Sequence, residues 1–588
     1  MLLVADVAIQ EALPIQRRLK GKKVNVPVGD KKFGYNRLRI LFWCAAIALG
    51  AVDAWTARYN MNPDGISYLD MGDAYLRGDW NMAINAYWSP LYSWLLGIFL
   101  KVLKPSPHWE FPVVHLVNFV IYLVALASFE FFLRAFIDYR RTRRNGVCDK
   151  WDVNLPEQAW WILGYSLFLL TSLILIGTRL VTPDMCVAAS VYLASGLLLR
   201  LRSGTATCRT FALFGAVLGF GYLAKAVMFP LAFVFLAVAT FSFGNTRKAE
   251  RRILISALTF LFIASPLIIL LSHAKGRLTF GDSAKVNYEI YVDGINWSIP
   301  TNSGLTHPVK KILESPLAYE FGEPIGGTYP LWYDTSYWHE GIKPHFDLKG
   351  QLQAIKDAFF LYYFTFFSPF LQLNVSAGFL MLFVSGAQRS LRLNTGAAVW
   401  PLLIIALSAL GLYSLVHVEY RFIGAFVCLL WLGGFSLVRL PAARDSHRLI
   451  TGVIIGIAAT TCLSVVWWMN QRDPENGPAY WKAAQALSES GIRAGDKVAV
   501  VGAYEPVGER VAYLARLARI QIVAQVNQAD RFWTADSSTQ SRVIEAISRT
   551  GAKAILTLPE PPHSAHEGPW QRLGSTNYYA HLLNPAWE

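Results

Sequence analysis

The sequence predicts an all-α polytopic membrane protein of about eleven transmembrane helices, followed by a small C-terminal α/β domain. Three observations carry this. Of the 588 residues, 54% are hydrophobic and 16% are charged, against roughly 25% charged in an ordinary soluble domain; mean hydropathy is +0.33. The apolar residues come in runs near the ~20 that cross a hydrocarbon core, with Lys and Arg clustered between them. From about residue 472 that pattern stops. Such a composition excludes a disordered chain, a secreted disulfide scaffold and a conventional soluble enzyme. The net charge of +14 does not point to nucleic acid, because the basic residues occupy short loops, as the positive-inside rule places them. The six cysteines show no CxxC spacing, so neither a disulfide framework nor a zinc site is expected.

In order along the chain, the nine Lys and Arg among residues 1–39 outnumber Asp6, Glu11 and Asp30, which marks a cytoplasmic N-terminal tail. The charged stretch is too long, and lacks an A-x-A-like site, for a cleaved signal peptide. A first span near 40–58 leads to an external loop of about 59–110. Within it, Trp88 to Leu103 is short for a span. Were it to cross, Arg140, Arg141, Arg143 and Arg144 would fall outside, so it is expected to lie in the interface or to dip in and return. Spans follow near 111–137, 159–177, 185–201, 210–226, 227–244 and 253–272. A second external loop, about 273–356, is too long for an ordinary connection. Its aromatic residues Tyr288, Tyr291, Trp297, Tyr329, Trp332, Tyr333, Tyr337 and Trp338 suit either a lid or a loop folded on the membrane face. Spans near 368–387, 397–415, 421–437 and 449–468 complete a membrane domain of residues 40–471 and leave 472–588 outside. In that tail, Val498–Val501, Gln521–Ala524 and Ala554–Leu558 read as strands alternating with helices over Gly508–Leu517 and Ser538–Arg549. Gly502 follows the first strand without a G-x-G-x-x-G, so no nucleotide site is expected.

Charged groups at membrane depth are costly and mark function. With topology set by the basic loops, four distant places in sequence meet at the outer face. Asp64 follows the first span in Asn62-Pro63-Asp64-Gly65. Asp184 ends Arg179-Leu180-Val181-Thr182-Pro183-Asp184. Lys225 closes Leu223-Ala224-Lys225, and His417, Glu419 and Arg421 precede the tenth span. Each also has a plainer role: Asp64 as a turn residue, Asp184 at a helix start, Lys225 snorkelling to headgroups, and Glu419 as a local partner for His417 and Arg421.

These stretches, with Pro63-Asp64-Gly65-Ile66-Ser67-Tyr68, Gly78-Asp79-Trp80, Tyr222-Leu223-Ala224-Lys225 and Glu419-Tyr420-Arg421-Phe422, make the sequence resemble the GT-C class of membrane glycosyltransferases. The branch it resembles is the protein-mannosyltransferase-like one, which includes the lipid A aminoarabinose transferase family. The resemblance covers roughly residues 40–440 and implies a catalytic acid in the first external loop, matched by Asp64, followed by surface helices. Two places depart from the family: Asp64 is followed by Gly65 rather than a second acid, and Trp88-Ser89-Pro90 stands where relatives carry a lysine.

The resemblance implies sugar transfer from a polyprenyl-phosphate donor to a hydroxyl of an envelope glycan, lipid or protein, at a bacterial inner membrane. That chemistry needs a base for the acceptor proton, suiting Asp64, and cations at the departing phosphate, suiting Arg421, Lys225 and His417. Asp184 is expected to orient the acceptor or hold a cation. Single displacement inverts the anomeric centre. No cofactor is certain, and a divalent cation stays open. A polytopic transporter or lipid flippase is the alternative, and would place polar groups near the midplane of repeated halves; no internal repeat is visible.

Overall fold

The computed structural model describes residues 29–144, 155–203, 206–243, 247–295, 309–323, 325–333, 343–368, 373–387, 396–438, 444–470, 478–502, 509–558 and 570–583. The basic stretch 17–23, Cys148, Trp297, Tyr337 and Trp338 lie outside them. The five described cysteines are free. The chain forms two compact units, 1–47 and 48–588; the first holds the N-terminal part of helix α1 (Gly29–Thr56) and the second everything that follows.

The helices after α1 are α2 (Pro63–Arg77), α3 (Trp80–Ala83), α4 (Pro90–Leu103), α5 (Pro107–Arg144), α6 (Glu157–Leu169), α7 (Asp184–Arg202), α8 (Cys208–Ala224), α9 (Met228–Phe243), α10 (Arg247–Lys275) and α11 (Ser283–Tyr291). A hairpin of β1 (Val309–Glu314) and β2 (Leu317–Phe321) precedes α12 (Pro330–Tyr333), α13 (Leu348–Phe367), α14 (Leu373–Ala387), α15 (Gly396–Ser414), α16 (Tyr420–Leu437) and α17 (Arg444–Asn470). Among the described residues seven helices are long and apolar enough to cross a membrane: α1, α5, α6 with its π-helical extension, α7, α10, α16 and α17. Four shorter apolar helices, α8, α9, α14 and α15, take the remaining span positions that the sequence predicts.

The remaining apolar helix, α4, has 14 residues, about 21 Å at 1.5 Å per residue. It packs along α2, and two glycines let the backbones touch. A Cβ on Gly72 would meet the Ser93 carbonyl oxygen at 2.9 Å, and one on Gly97 would meet that of Gly72 at 3.3 Å. In the bundle, Phe129 of α5 stacks on Phe168 of α6 and meets Tyr192 of α7 edge-on. Gly215 of α8 lies directly on the α10 backbone at Ser256. Large apolar side chains such as Phe241 and Phe262 point outward, each 79% exposed, as lipid-facing positions do.

The tail continues with α18 (Ala479–Glu489), β3 (Lys497–Val501), α19 (Glu509–Ala518), β4 (Gln521–Val526), α20 (Ala529–Thr534), α21 (Ser537–Ser548), β5 (Ala554–Thr557), β6 (Trp570–Arg572) and β7 (Tyr579–Leu582). Its strands form one seven-stranded sheet in the order β1-β2-β4-β3-β5-β7-β6. The centre, β4-β3-β5, is parallel, and β2 and β7 join it antiparallel. Val498 to Val501 are fully buried, as both faces of a parallel centre require. The sheet is not made by residues 472–588 alone: β2, from the long loop between α10 and α13, pairs Ala318 with Val526 and Glu320 with Ala524.

Candidate functional site

Asp64 stands in the first turn of α2, which Pro63 opens with its fixed φ. Two contacts strap this turn to the loop before α7. The Val181 N–H donates to Asn62 Oδ1 at 2.7 Å, and a Cβ on Gly65 would strike Val181 at 2.7 Å. That loop begins where α6 passes into a π-helical turn, Leu170–Ile176, closed by Gly177 at φ 76. Asp53 of α1 then accepts from Thr178 Oγ1 and Arg179 Nε, each at 2.7 Å. Asp184, at the first position of α7, is thereby delivered next to Asp64.

Lys225 ends α8 in extended backbone. Its ammonium donates to Asp184 Oδ1 at 2.6 Å and sits 3.5 Å over the Phe422 ring. It is tied to a carboxylate inside the bundle rather than reaching for headgroups. Arg421, in the first turn of α16, joins the rest. Its Nη1 donates to Asp64 Oδ2 at 2.8 Å and lies 3.7 Å from Asp184 Oδ2. Its Nε and Nη2 donate to the two oxygens of Glu419 at 2.6 and 3.1 Å, the bidentate fork a guanidinium provides. His417 stacks on Tyr291 of α11, 3.7 Å between centroids and 4° from parallel, and its Nε2 is 3.6 Å from Glu419.

All five predicted site residues, Asp64, Asp184, Lys225, His417 and Arg421, therefore line one cavity of about 330 Å³. Three carboxylates, with Glu419 the third, face the side chains of Arg421 and Lys225. Burial works to raise the Glu419 carboxyl, but His417 and the Arg421 guanidinium hold it well below the usual range. Burial first, and the Asp64 charge second, push the Tyr87 phenol well up, so it stays a donor; its hydroxyl donates to Asn287 at 2.9 Å.

The sequence reading did not place Tyr87 or Asn287 in the cavity, since nothing in their local sequence distinguishes them from ordinary interface residues, and it quoted Phe422 beside Arg421 without giving it a role. Tyr291 and Trp332 belong to the aromatic set noted in the second loop, and both line the wall. That loop thus does cover the site. The Trp332 carbonyl accepts from Ser67 Oγ at 3.0 Å, and that of Tyr333 accepts from Trp88 Nε1 at 2.9 Å.

The fold, a bundle of apolar helices with a charged cavity walled by short helices and a long loop, is shared with solved structures. The chain is similar in structure to ArnT from Cupriavidus metallidurans, in the apo state and bound to undecaprenyl phosphate. The TM-scores are 0.53 and 0.52, at 13% identity over 93% of this chain and 98% and 99% of those. It is also similar to the oligosaccharyltransferase AglB from Archaeoglobus fulgidus in complex with an inhibitory peptide and a dolichol-phosphate. There the TM-score is 0.51, at 11% identity over 90% of this chain and 69% of that one. No protein-family model and no curated protein matches the sequence.

The Archaeoglobus fulgidus oligosaccharyltransferase is also known in complex with zinc and sulfate. The residues here do not fit a metal ion. Asp64 is held by Arg421 and Asp184 by Lys225, and no group of three or more His, Cys, Asp and Glu suited to a metal occurs among the described residues.

Proposed function

We propose that this protein transfers a sugar from a polyprenyl-phosphate donor to a hydroxyl of an envelope glycan, lipid or protein. The observation that carries the reading is the meeting of Asp64, Asp184, Lys225 and Arg421 in one cavity, from four places up to 357 residues apart, in a fold whose solved examples bind undecaprenyl phosphate and a dolichol-phosphate. The donor phosphate takes Arg421 by its planar fork and Lys225 as a point charge. Asp184 holds Lys225 in place. Asp64 accepts the proton of the acceptor hydroxyl as its oxygen attacks the anomeric carbon. The bond from that carbon to the phosphate oxygen breaks, its electron pair leaves with the phosphate, and the two cations stabilise the charge that develops there. Attack opposite the leaving group inverts the centre. Tyr291 and Trp332 offer aromatic faces to the sugar.

The membrane in this reading is the bacterial inner membrane. Residues 1–39 form a cytoplasmic tail, 40–471 the membrane domain, and 472–588 an extracytoplasmic domain completed by the 309–321 hairpin. The test is an assay of the purified full-length chain against a panel of polyprenyl-phosphate sugars, reading release of free polyprenyl phosphate. Turnover that Asp64→Asn removes supports the reading. A folded protein that binds undecaprenyl phosphate yet turns over no donor with lipid, glycan or peptide acceptors overturns it.

A further inference from the structure

A second ionic cluster lies away from the cavity. Arg516 of α19, in the tail domain, is only 5% exposed. Its Nη1 is 2.8 Å from Asp70 and 2.7 Å from Asp73, both on α2, and its Nε donates to Glu110 of α5 at 2.7 Å. Arg519 donates to the other oxygen of Glu110. Arg519 holds left-handed backbone, φ 59, a conformation costly for a residue with a side chain and commonly given to glycine where a helix ends. An arginine is kept there, and its guanidinium closes the cluster.

Asp70 does more than meet Arg516. It accepts from the Thr328 N–H at 2.6 Å and from Thr328 Oγ1 at 2.9 Å. Thr328 in turn gives its carbonyl to the Ile522 N–H of β4 at 3.0 Å, and Tyr329 donates to Gln525. Four residues further on, Trp332 reaches the cavity and its carbonyl receives Ser67 of α2. The tail domain therefore grips both structures that wall the site. It holds α2 about two turns from Asp64, and the loop that carries Trp332. Each Arg516 contact is short and charge-assisted, the kind that fixes geometry, and those to Asp70 and Glu110 are buried.

We infer that Arg516 is a positioning residue for the transfer site, setting α2, and with it Asp64, against Arg421 while Asp70 and Thr328 set the Trp332 wall. The tail domain is then part of the active centre rather than a separate acceptor-binding module. This rests on the proposed transfer reaction, and the test separates the two.

The full-length protein in nanodiscs is prepared as wild type, Arg516→Gln, Arg516→Lys, Thr328→Val and Arg519→Gly. The last removes a guanidinium while relaxing the strained backbone, so it folds even where Arg516→Gln does not. Three quantities are read: turnover of the donor found active in the panel, affinity for undecaprenyl phosphate, and amide hydrogen exchange of residues 63–77 and 325–333. Displacements near 1 Å cost about a hundredfold in rate, so Arg516→Gln is expected to lower kcat by roughly ten- to a hundredfold. Undecaprenyl phosphate affinity stays within about threefold, because Arg421 and Lys225 lie on other helices. Exchange rises in 63–77 and 325–333 and not in α15 or α17. Arg516→Lys recovers part of kcat, and Thr328→Val and Arg519→Gly show smaller losses of the same kind. Should Arg516→Gln not fold, those two variants decide. The inference is overturned by kcat within twofold of wild type in the folded variants, or by kcat and affinity falling together. Unchanged exchange in 63–77 overturns it as well. If wild type turns over no donor, the transfer reading fails while the exchange arm still reports on Arg516.

Discussion

Arg421 Nη1 lies 2.8 Å from Asp64 Oδ2 while the rest of the same guanidinium is forked onto Glu419. The group assigned as base and the group assigned to the phosphate are thus paired with each other. The carboxylate oxygen so paired is occupied by a guanidinium N–H and is not open to the acceptor hydroxyl. In the proposed transfer, donor phosphate arriving at Arg421 draws it away and frees Asp64, so the donor binds before the acceptor proton is taken.

This gives Asp64→Asn a two-sided signature. Turnover falls by about a hundred- to ten-thousand-fold, the usual weight of a general base. Affinity for undecaprenyl phosphate rises several-fold, since a charge competing for Arg421 is gone. Titration of the lipid phosphate onto wild type and variant checks this. Weaker binding in a folded variant contradicts the competition.

Arg421→Ala should remove most donor affinity. Hydrogen bonds to charged groups contribute about 1.5–3 kcal/mol each, so roughly ten- to a hundredfold is expected. Arg421→Lys recovers only part, because one ammonium replaces a plane that reaches Asp64 and both oxygens of Glu419. The same titration reads it; full recovery in Arg421→Lys would reduce Arg421 to a point charge.

Charges are rare in the apolar two-thirds of this chain, so Asp64, Asp184, Lys225 and Arg421 stood out in the sequence, and the basic loops placed them on one face. The span positions were legible for the same reason. Three strands and two helices of the tail were legible from alternation, since β3, β4 and β5 lie within a residue or two of the predicted Val498–Val501, Gln521–Ala524 and Ala554–Leu558, whereas α18, α20, β6 and β7 were not. The pairing of β2 with β4 was not. Residues 317–321 sit in a polar loop some two hundred residues earlier, where no local pattern names a partner. Arg516 was invisible for a related reason. It is one arginine among many polar residues, and its contact to Asp70 crosses 446 positions. Glu419 was noted as a local partner, but its place between His417 and Arg421 in the cavity depends on the turn before α16.

Lys225→Met keeps a long side chain over Phe422 but leaves Asp184, 3% exposed, with only Arg421 among the described cations, at 3.7 Å. Breaking a buried pair costs about 3–5 kcal/mol, and the low end applies because Lys225 borders the cavity. Adding Asp184→Asn removes the stranded charge. The double variant should then be more stable than Lys225→Met alone, with a coupling within the ~0.5–3 kcal/mol seen for contacting residues. Thermal melts of the four proteins measure it, and simple additivity would show that the pair is not coupled.

Glu289 of α11 is fully buried. Among the described residues, neither of its carboxyl oxygens has a hydrogen-bond partner, and Lys285 Nζ stands 3.7 Å away. Burial is the main cause that pushes this carboxyl up to about 7, with Lys285 opposing and Asp293 and Asp282 reinforcing. An unfolded glutamate titrates near 4.3. Between roughly pH 4.3 and 7 the folded chain holds a proton that the unfolded chain has released. The stability due to protonated Glu289 is therefore complete below about pH 4.3 and is lost as pH rises through 7. Glu289→Gln fixes the neutral form. The variant should melt close to wild type near pH 4.5 and above it at pH 8, in melts of the full-length protein across that range. Since α11 also carries Asn287 and Tyr291 into the cavity wall, the Tyr291–His417 stack should loosen in wild type, and not in the variant, over the same interval. A difference between the two proteins that does not change with pH would show that Glu289 stays ionised, with Lys285 sufficient to hold its charge.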